Sequence, residues 1–296
     1  MIDAKSVAEL RSKTGAGMMD CKKALTESNG DLEKAIDYLR EKGIAKAAKK
    51  ESRIAAEGLA NIFTSDNKAV ILEVNSETDF VSKNAEFTDM IKEIGEAVLK
   101  SDAKTLEEAL LLPSSEGTIA DLIVAKTSKI GEKLSLRRLE VVEKTDTQNF
   151  GAYLHMGGKI AVLTLLEGAN SDVAKDVAMQ AAAMRPEYLK EEDIDAERIE
   201  RERKVFTEQA INEGKPADIA AKMVEGRLKK WFSEVCLLDQ AFIKNPDLTV
   251  EQLLRDTANE VGENIKIRRF ARFQVGEGLE KKEEDFAAEV ASQMNA

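Results

Sequence analysis

The chain has 296 residues with 44 basic and 55 acidic side chains, which gives a net charge of −11. This length suffices for two or more units with buried cores. The excess of acidic residues argues against general nucleic-acid binding. No apolar run reaches the roughly 18 residues of a membrane span. The single histidine, His155, and two distant cysteines, Cys21 and Cys236, supply neither a disulfide framework nor a metal cluster, so we expect a cytoplasmic protein that is not an enzyme and has no cofactor or metal.

Helical periodicity predicts three short helices near the N-terminus, over residues 3–14, 18–28 and 31–43. Gly43 is expected to end the third helix, and residues 44–50 read as a charged linker that is helical in part. Residues 15–17, Gly-Ala-Gly, follow no strand and lack the third glycine of a dinucleotide motif, so they indicate a tight turn rather than a phosphate loop. Met18 and Met19 point about 100° apart on a helix, so one of them should be exposed.

From residue 54 the pattern changes to α+β. The predicted elements are a hairpin of strands 59–64 and 68–75, a helix after Phe80, helices 106–112 and 118–126, and an alternating strand with its entry turn over 130–140. The helix after Phe80 carries an apolar stripe of Phe87, Ile91, Ile94 and Val98. Pro113 ends the helix that begins at residue 106.

Residues 74–81, Val-Asn-Ser-Glu-Thr-Asp-Phe-Val, join the second strand to that helix. The helix dipole favours an acid such as Asp79 at a helix start. Phe80 lies seven residues before Phe87 on the same stripe, and phenylalanine is usually buried, so the residues alone predict a core position for Phe80. The other interpretation is that Asp79 and Phe80 form an exposed pair that contacts another protein.

The pattern then repeats. A second hairpin is predicted over residues 149–156 and 159–166, followed by a helix over 171–184, and residues 261–270 closely echo residues 130–139. We interpret this as an internal duplication. Lys68 and Lys159 are 91 residues apart, whereas Ile130 and Val261 are 131 apart, so the second copy holds 40 additional residues.

The additional residues form two predicted helices, 195–212 and 217–231. Their apolar stripes are narrow and their charge is dense, which favours an antiparallel coiled-coil arm that projects into solvent. The alternative is a hairpin that packs on its own core. Near the C-terminus, Phe286, Val290 and Met294 share one helical face. That helix either packs back on the core or binds a groove of another protein.

The sequence thus predicts an α+β fold: a small three-helix N-terminal module, an internally duplicated core with antiparallel sheets, an inserted antiparallel coiled-coil hairpin and a C-terminal helix. The predicted domains are residues 1–53, the N-terminal module and linker; 54–145 and 146–277, the two core subdomains; and 278–296, the C-terminal helical module. The coiled-coil arm is expected at about residues 187–230, inside the second core subdomain.

Three motifs give a resemblance that covers the whole chain. Residues 14–25 (Thr-Gly-Ala-Gly-Met-Met-Asp-Cys-Lys-Lys-Ala-Leu), 77–81 (Glu-Thr-Asp-Phe-Val) and 285–290 (Asp-Phe-Ala-Ala-Glu-Val) resemble bacterial translation elongation factor Ts. The resemblance implies a guanine-nucleotide exchange factor that binds elongation factor Tu, both GDP-bound and nucleotide-free, without binding nucleic acid directly or a membrane. It also implies that the N-terminal module is similar to ubiquitin-associated domains. It leaves open whether two copies form a homodimer or a 2:2 complex through the core or the arm.

The resemblance also implies roles for individual residues. Asp79 and Phe80, flanked by Thr78 and Val81, would insert beside the magnesium and nucleotide site of elongation factor Tu, which reverses the core prediction for Phe80. The other implied contact residues are Arg11, Met18, Met19, Ile130, Gly131, His155 and Phe286. The second copy has Ala169-Asn170 after Leu166-Glu167-Gly168 and therefore no equivalent of the acid-aromatic pair.

Two other function classes compete with this one. The chain could be a non-catalytic adaptor or scaffold with a ubiquitin-associated-like head and no exchange activity. An enzyme that uses paired carboxylates is the second rival, and it would need two convergent acids with perturbed pKa values in one pocket. No spacing in the sequence points to such a pair.

Overall fold

A computed structural model describes residues 2–214 and 216–280. It contains α-helices and antiparallel strands, which confirms the α+β class. The chain divides into two compact units. The first consists of residues up to 63, residues 72–141 and the described residues from 274 onward, and the second consists of residues 64–71 and 142–273. Within the described residues, no helix is both long and apolar enough to cross a membrane.

The N-terminal residues form three helices, α1 (Ala4–Thr14), α2 (Met18–Glu27) and α3 (Leu32–Ala48). Asp3 caps α1 by accepting a hydrogen bond from the Ser6 N–H at 2.7 Å, and Gly15 ends it with φ +65°, a left-handed conformation that glycine adopts without strain. The three helices share a buried cluster of Val7, Leu10, Cys21, Ala24, Leu25 and Ala35. This small core is the reason why three short helices persist side by side.

The next part of the chain builds a three-stranded sheet with helices. In chain order the elements are β1 (Glu57–Thr64), β2 (Lys68–Ser76), α4 (Ala85–Lys100), α5 (Leu106–Leu110), β3 (Pro113–Ser114), β4 (Gly117–Thr118), α6 (Ile119–Ile130) and β5 (Ser135–Glu143). The sheet order is β1-β2-β5, so the predicted hairpin is confirmed. Helix α4 buries the predicted stripe of Phe87, Ile91, Ile94 and Val98.

The predicted end of the third helix at Gly43 was wrong, because α3 continues to Ala48. A Cβ atom built on Gly43 would lie 3.4 Å from the Ser128 hydroxyl of α6, so α3 and α6 approach closely at this point. A glycine in a helix interior costs about 1 kcal/mol relative to alanine. Here it permits close packing between two helices. Residues 44–48 of the expected linker continue α3, which agrees with the prediction that this segment is helical in part.

Inside the first unit, one carboxylate is fully buried. Glu73 on β2 is 0% exposed and accepts hydrogen bonds from Arg137 Nη1 at 2.9 Å, Arg138 Nε at 2.6 Å and the Gly276 N–H at 2.9 Å. Burial alone raises the pKa of Glu73, but these hydrogen bonds outweigh it and lower the pKa below its ordinary value of 4.5. The ionised carboxylate therefore joins β2, β5 and the segment after the last strand.

The second unit repeats the order of elements from β1 to β5, with a hairpin of two long helices where the first has the short helix α5. Its elements are β6 (Gln148–His155), β7 (Ile160–Glu167), α7 (Ser171–Met184), α8 (Ala196–Asn212), α9 (Ala217–Val235), β8 (Ala241–Phe242), β9 (Asn245–Thr249), α10 (Val250–Val261) and β10 (Lys266–Gln274). The sheet order is β6-β7-β10, and β6 pairs with β7 in antiparallel register from Gln148 opposite Glu167 to His155 opposite Ile160. Helix α7 has the predicted bounds.

The repeat is clearest at α6 and α10. Both helices have 12 residues and begin with a capping box, at Thr118 and Thr249. Both end on a left-handed glycine, Gly131 with φ +89° and Gly262 with φ +73°, and both precede the third strand of their sheet. The order of elements therefore agrees with the predicted duplication.

The additional residues of the second half contain the helical hairpin of α8 and α9. Its apolar side chains form a cluster of Ile194, Val224, Leu228, Trp231, Val235 and Cys236, against which Ile199 and Phe206 pack. Val224 is buried in this cluster, whereas its neighbour Met223 is half-buried. The guanidinium of Arg198 lies 5.9 Å from the centre of the Trp231 ring. The predicted C-terminal helix around Phe286 lies outside the described residues.

Candidate functional site

Residues 77–80, the contact turn, connect β2 to a short 3-10 helix, Val81–Lys83. Asn84 then caps α4 by accepting from the Glu86 N–H at 2.8 Å. The predicted continuous stripe from Phe80 to Phe87 was wrong, because the 3-10 helix and the extended Asn84 interrupt the helical register. Phe80 is therefore 79% exposed, and the core position that the residues alone predicted is excluded for this chain.

The contact turn is fixed by hydrogen bonds rather than by packing of its tip. The Glu132 carboxylate accepts from the Glu77 N–H at 3.0 Å, the Thr78 N–H at 2.9 Å and the Thr78 hydroxyl at 2.6 Å. The Ser76 hydroxyl donates to the Thr78 carbonyl at 2.9 Å. Hydrogen bonds to an ionised group are stronger than those between neutral groups, so Glu132 contributes most to holding this turn.

Residues 131–133, the support turn, follow α6 and lie against the contact turn. The Glu77 carboxylate accepts from the Lys133 N–H at 2.6 Å, so each turn contributes a carboxylate to the backbone of the other. The residues after α3 join them: Lys50 donates to the Gly131 carbonyl, and Arg53 Nη1 lies 3.3 Å from Glu77 Oε1. Three segments that are distant in sequence therefore meet beside Phe80.

The predicted residues of the contact turn differ in exposure. Asp79 is exposed and forms only a surface ion pair with Lys83, at 3.5 Å, of a kind that contributes at most about 1 kcal/mol. Thr78 is half-buried because its N–H and hydroxyl bind Glu132. Val81 is buried, and its side chain anchors the end of the turn. Asp79 and Phe80 are thus the two exposed residues of the contact turn.

Arg11, Met18 and Met19 lie on the N-terminal helices and are all exposed. The sequence predicted that one of the two methionines is exposed. In the structure both are, because Cys21, Ala24 and Leu25 fill the helical core instead. Exposed methionine is flexible and polarisable, which suits adaptable contacts with a protein surface.

Ile130 and Gly131 lie at the end of α6, where Ile130 is half-buried and Gly131 is exposed. His155 is exposed at the end of β6, and its Nδ1 lies 3.3 Å from the Tyr153 hydroxyl. It has exposed apolar neighbours, Leu154 and Met156. Gly131 belongs to the support turn and Ile130 precedes it, so the hydrogen bonds between the two turns place both residues beside the contact turn.

No metal or cofactor site emerges from the described residues, which contain no group of three or more His, Cys, Asp or Glu side chains that could hold a metal ion. An open groove of about 630 Å³ is lined by the α1–α2 connection, α3 and α6. Its charged side chains form ion pairs, for example Asp20 with Lys42 at 2.8 Å and with Lys46 at 2.9 Å. These pairs compensate part of the charge that lines the groove.

Sequence analysis missed Glu132. This residue acts across 54 residues of sequence on Thr78, and a glutamate in a polar turn has no periodicity that reveals such a contact. The repeat offers no signal either, because residues 131–132 and 262–263 are both Gly-Glu. Among known protein families, a model described as Elongation factor TS matches residues 77–277. The matched range begins at the contact turn and covers about two thirds of the chain.

Proposed function

Since the chain belongs to the elongation factor Ts family, we propose that it releases GDP from elongation factor Tu by inserting Asp79 and Phe80 near the magnesium and nucleotide site of that partner. The family itself implies a nucleotide exchange factor for elongation factor Tu in translation elongation. The finer mechanism is supported by one observation above all: Phe80 is 79% exposed at the tip of a turn whose backbone is held on both sides.

The energetic argument starts from the apolar area of Phe80. Burying a phenylalanine side chain contributes roughly 1.5–3 kcal/mol. A free chain that exposes most of this area can gain that energy only when a partner covers it. If the partner covers it only in a conformation with a distorted nucleotide site, this energy favours that conformation over the GDP-bound one. Asp79 acts beside it by disturbing the hydrogen bonds of the water molecules around the magnesium ion.

One side chain is insufficient for this task. Shifting a two-state equilibrium from 1:99 to 99:1 takes about 5.5 kcal/mol of differential binding. We therefore assign supporting contacts to the other predicted residues, which are Arg11, Met18, Met19, Ile130, Gly131, His155 and Phe286. Thr78 and Val81 belong to the same surface, and in the free chain they hold the turn in place.

The proposal extends to the architecture and the setting. We assign a ubiquitin-associated-like fold to the three N-terminal helices, a coiled-coil arm to the hairpin of α8 and α9, and domain boundaries after residues 53, 145 and 277. The arm is supported by its dense charge and its narrow apolar cluster. The proposed partner is elongation factor Tu, in its GDP-bound and nucleotide-free forms, and the proposed location is the cytoplasm. The mass of the complex, measured by light scattering, distinguishes a 1:1 from a 2:2 assembly.

The test replaces Asp79 and Phe80 by alanine and measures release of a fluorescent GDP analogue from elongation factor Tu. Both side chains are exposed, so the variant should keep the thermal stability of the parent chain while its exchange rate falls. The matched control is Leu111→Ala, because Leu111 is 74% exposed in the same unit and belongs to none of the proposed contacts. Unchanged GDP release by the double variant would refute the insertion mechanism.

A second measurement separates an exchange factor from an adaptor. Coupling between two ligands is reciprocal, so a factor that weakens GDP binding must itself bind elongation factor Tu more weakly when GDP is present. We expect the dissociation constant of the complex to rise with GDP concentration. Equal affinity with and without GDP would favour the adaptor hypothesis instead.

A further inference from the structure

Glu132 lies outside the contact turn, yet it is the side chain that holds this turn most directly. We propose that Glu132 is a positioning residue: by binding the backbone of Glu77 and Thr78 it fixes the direction in which Phe80 points, and so determines exchange activity. This inference rests on the proposed function of Phe80. It adds a residue to that function, and it predicts a change in the free chain that can be measured without any partner.

The geometry of the carboxylate supports this role. Glu132 Oε2 accepts from two consecutive backbone N–H groups, of Glu77 at 3.0 Å and Thr78 at 2.9 Å, while Oε1 accepts from the Thr78 hydroxyl at 2.6 Å. Consecutive donors on one oxygen fix the orientation of both peptide planes. These planes immediately precede Asp79 and Phe80, so they set the course of the chain at the tip.

Phe80 depends on this backbone control because its side chain is largely free of packing. A buried aromatic ring is oriented by its neighbours, but Phe80 is exposed. After the tip, the Ser82 hydroxyl donates to the Asp79 carbonyl at 2.6 Å, and the Lys83 N–H donates to the Phe80 carbonyl at 3.2 Å. Glu132 therefore holds the entry to the tip, and the 3-10 helix holds its exit.

The reciprocal contact makes the arrangement specific. Glu77 accepts from the Lys133 N–H at 2.6 Å while Glu132 accepts from the Glu77 N–H, so a displacement of either turn breaks hydrogen bonds in both directions. Arg53 lies within 3.3 Å of the Glu77 carboxylate and balances part of its charge. A pair of turns connected in this way has one low-energy arrangement rather than several, which keeps Phe80 in a single direction before binding.

The second half of the chain provides an internal control. Glu263 follows Gly262 as Glu132 follows Gly131, at the end of the corresponding helix, but Glu263 is exposed. The repeat has no acid-aromatic pair to hold. The fold therefore does not require the glutamate at this position to bind a neighbouring turn. The positioning role of Glu132 belongs to the first half alone.

The first test uses the free chain and backbone amide hydrogen exchange. A hydrogen bond to a charged group is worth a factor of about ten or more in an opening equilibrium. Glu132→Ala should therefore raise the exchange rates of the Glu77 and Thr78 amides by about tenfold or more. Glu132→Gln keeps one acceptor oxygen and should give a smaller increase, and Glu263→Ala should leave both amides unchanged. Unchanged exchange of both amides in Glu132→Ala would overturn the inference.

The second test measures GDP release from elongation factor Tu with Glu132→Ala, Phe80→Ala and the double variant. If Glu132 acts through Phe80, Glu132→Ala slows release, and the double variant is no slower than Phe80→Ala alone. Additive losses would indicate a general structural role and would overturn the inference. Normal release by Glu132→Ala beside slow release by Phe80→Ala would also overturn it while leaving the proposed function intact. Normal release by Phe80→Ala would overturn the proposed function, and the exchange of the two amides would then decide the positioning role separately.

Discussion

Replacing Glu73 by alanine should lower the free energy of unfolding of the first unit by about 3 kcal/mol. Removing one partner of a buried ion pair costs about 3–5 kcal/mol, because the opposite charge is left without compensation. Glu73 is fully buried and binds both Arg137 and Arg138, whose side chains are 24% and 30% exposed. Water can reach these guanidinium groups in part, so we expect the lower end of that range.

Calorimetric unfolding measures this effect. In units of this size, 1 kcal/mol corresponds to about 2–4 °C in Tm, so Glu73→Ala should lower Tm by about 6–12 °C. Glu73→Gln keeps the shape and one acceptor oxygen and should fall between Glu73→Ala and the parent chain. Glu107→Ala replaces an exposed glutamate of the same unit and should shift Tm by less than about 2 °C, as surface substitutions usually do. A Tm of Glu73→Ala equal to that of the control would refute the reasoning.

The pH dependence gives a second check on Glu73. Its pKa in the folded chain lies below the ordinary value of 4.5, so the ionised carboxylate contributes stability that is present above pH 4.5. That contribution is lost as the pH falls through the lowered pKa of the folded state. The difference in Tm between the parent chain and Glu73→Gln should therefore be constant near neutral pH and shrink below pH 4.5. A difference that grows in acid would contradict the assignment.

Three further predictions follow from other contacts. Asp20 has its pKa lowered to about 2 by hydrogen bonds from two lysines of α3. The protection factors of the α2 amides, which are corrected for the intrinsic pH dependence of exchange, should therefore decrease as the pH falls from about 4 toward 2, and Asp20→Asn should remove this dependence. Gly58→Ala should prevent stable folding, because the new Cβ would lie 2.1 Å from the Val74 carbonyl oxygen. Gly262→Ala, with open space around the new Cβ, should lower the free energy of unfolding in denaturant by only about 1–2 kcal/mol. Leu228→Ala should destabilise the helical hairpin by about 2–5 kcal/mol, which hydrogen exchange in α8 and α9 should report.

Much of the fold follows from local patterns in the sequence. Apolar runs on both sides of turn residues predicted both hairpins, and the periodicity of residues 171–184 predicted α7 with its observed bounds. These features depend on side chains that are near one another in sequence, so the pattern contains the information. The strands β8 and β9 are too short to show a periodicity, and helix α10 was not assigned although it is amphipathic and begins with a capping box at Thr249.

Two of the errors arose where distant segments meet. Gly43 is a helix-ending residue by local preference, but packing of α3 against α6 carries the helix past it. Glu132 was missed for the same reason, since its contact with Thr78 is not visible from the residues around it. The third error is local: Phe80 shared the spacing of a core stripe with Phe87, but a 3-10 helix and the cap at Asn84 change the register between them.

The contact surfaces of the first unit suit different tasks because they are held differently. The backbone that carries Phe80 is held by two carboxylates, so little backbone freedom would be lost if a partner buried the ring, and this cost would take little from the binding energy of its apolar area. Met18 and Met19 are unbranched and flexible, and they can follow a partner surface whose shape changes. An exchange factor must bind its partner before, during and after the nucleotide site changes. On the proposed mechanism, an insertion element that favours one conformation therefore needs an adaptable surface that binds several, and we assign these two tasks to Phe80 and to the two methionines.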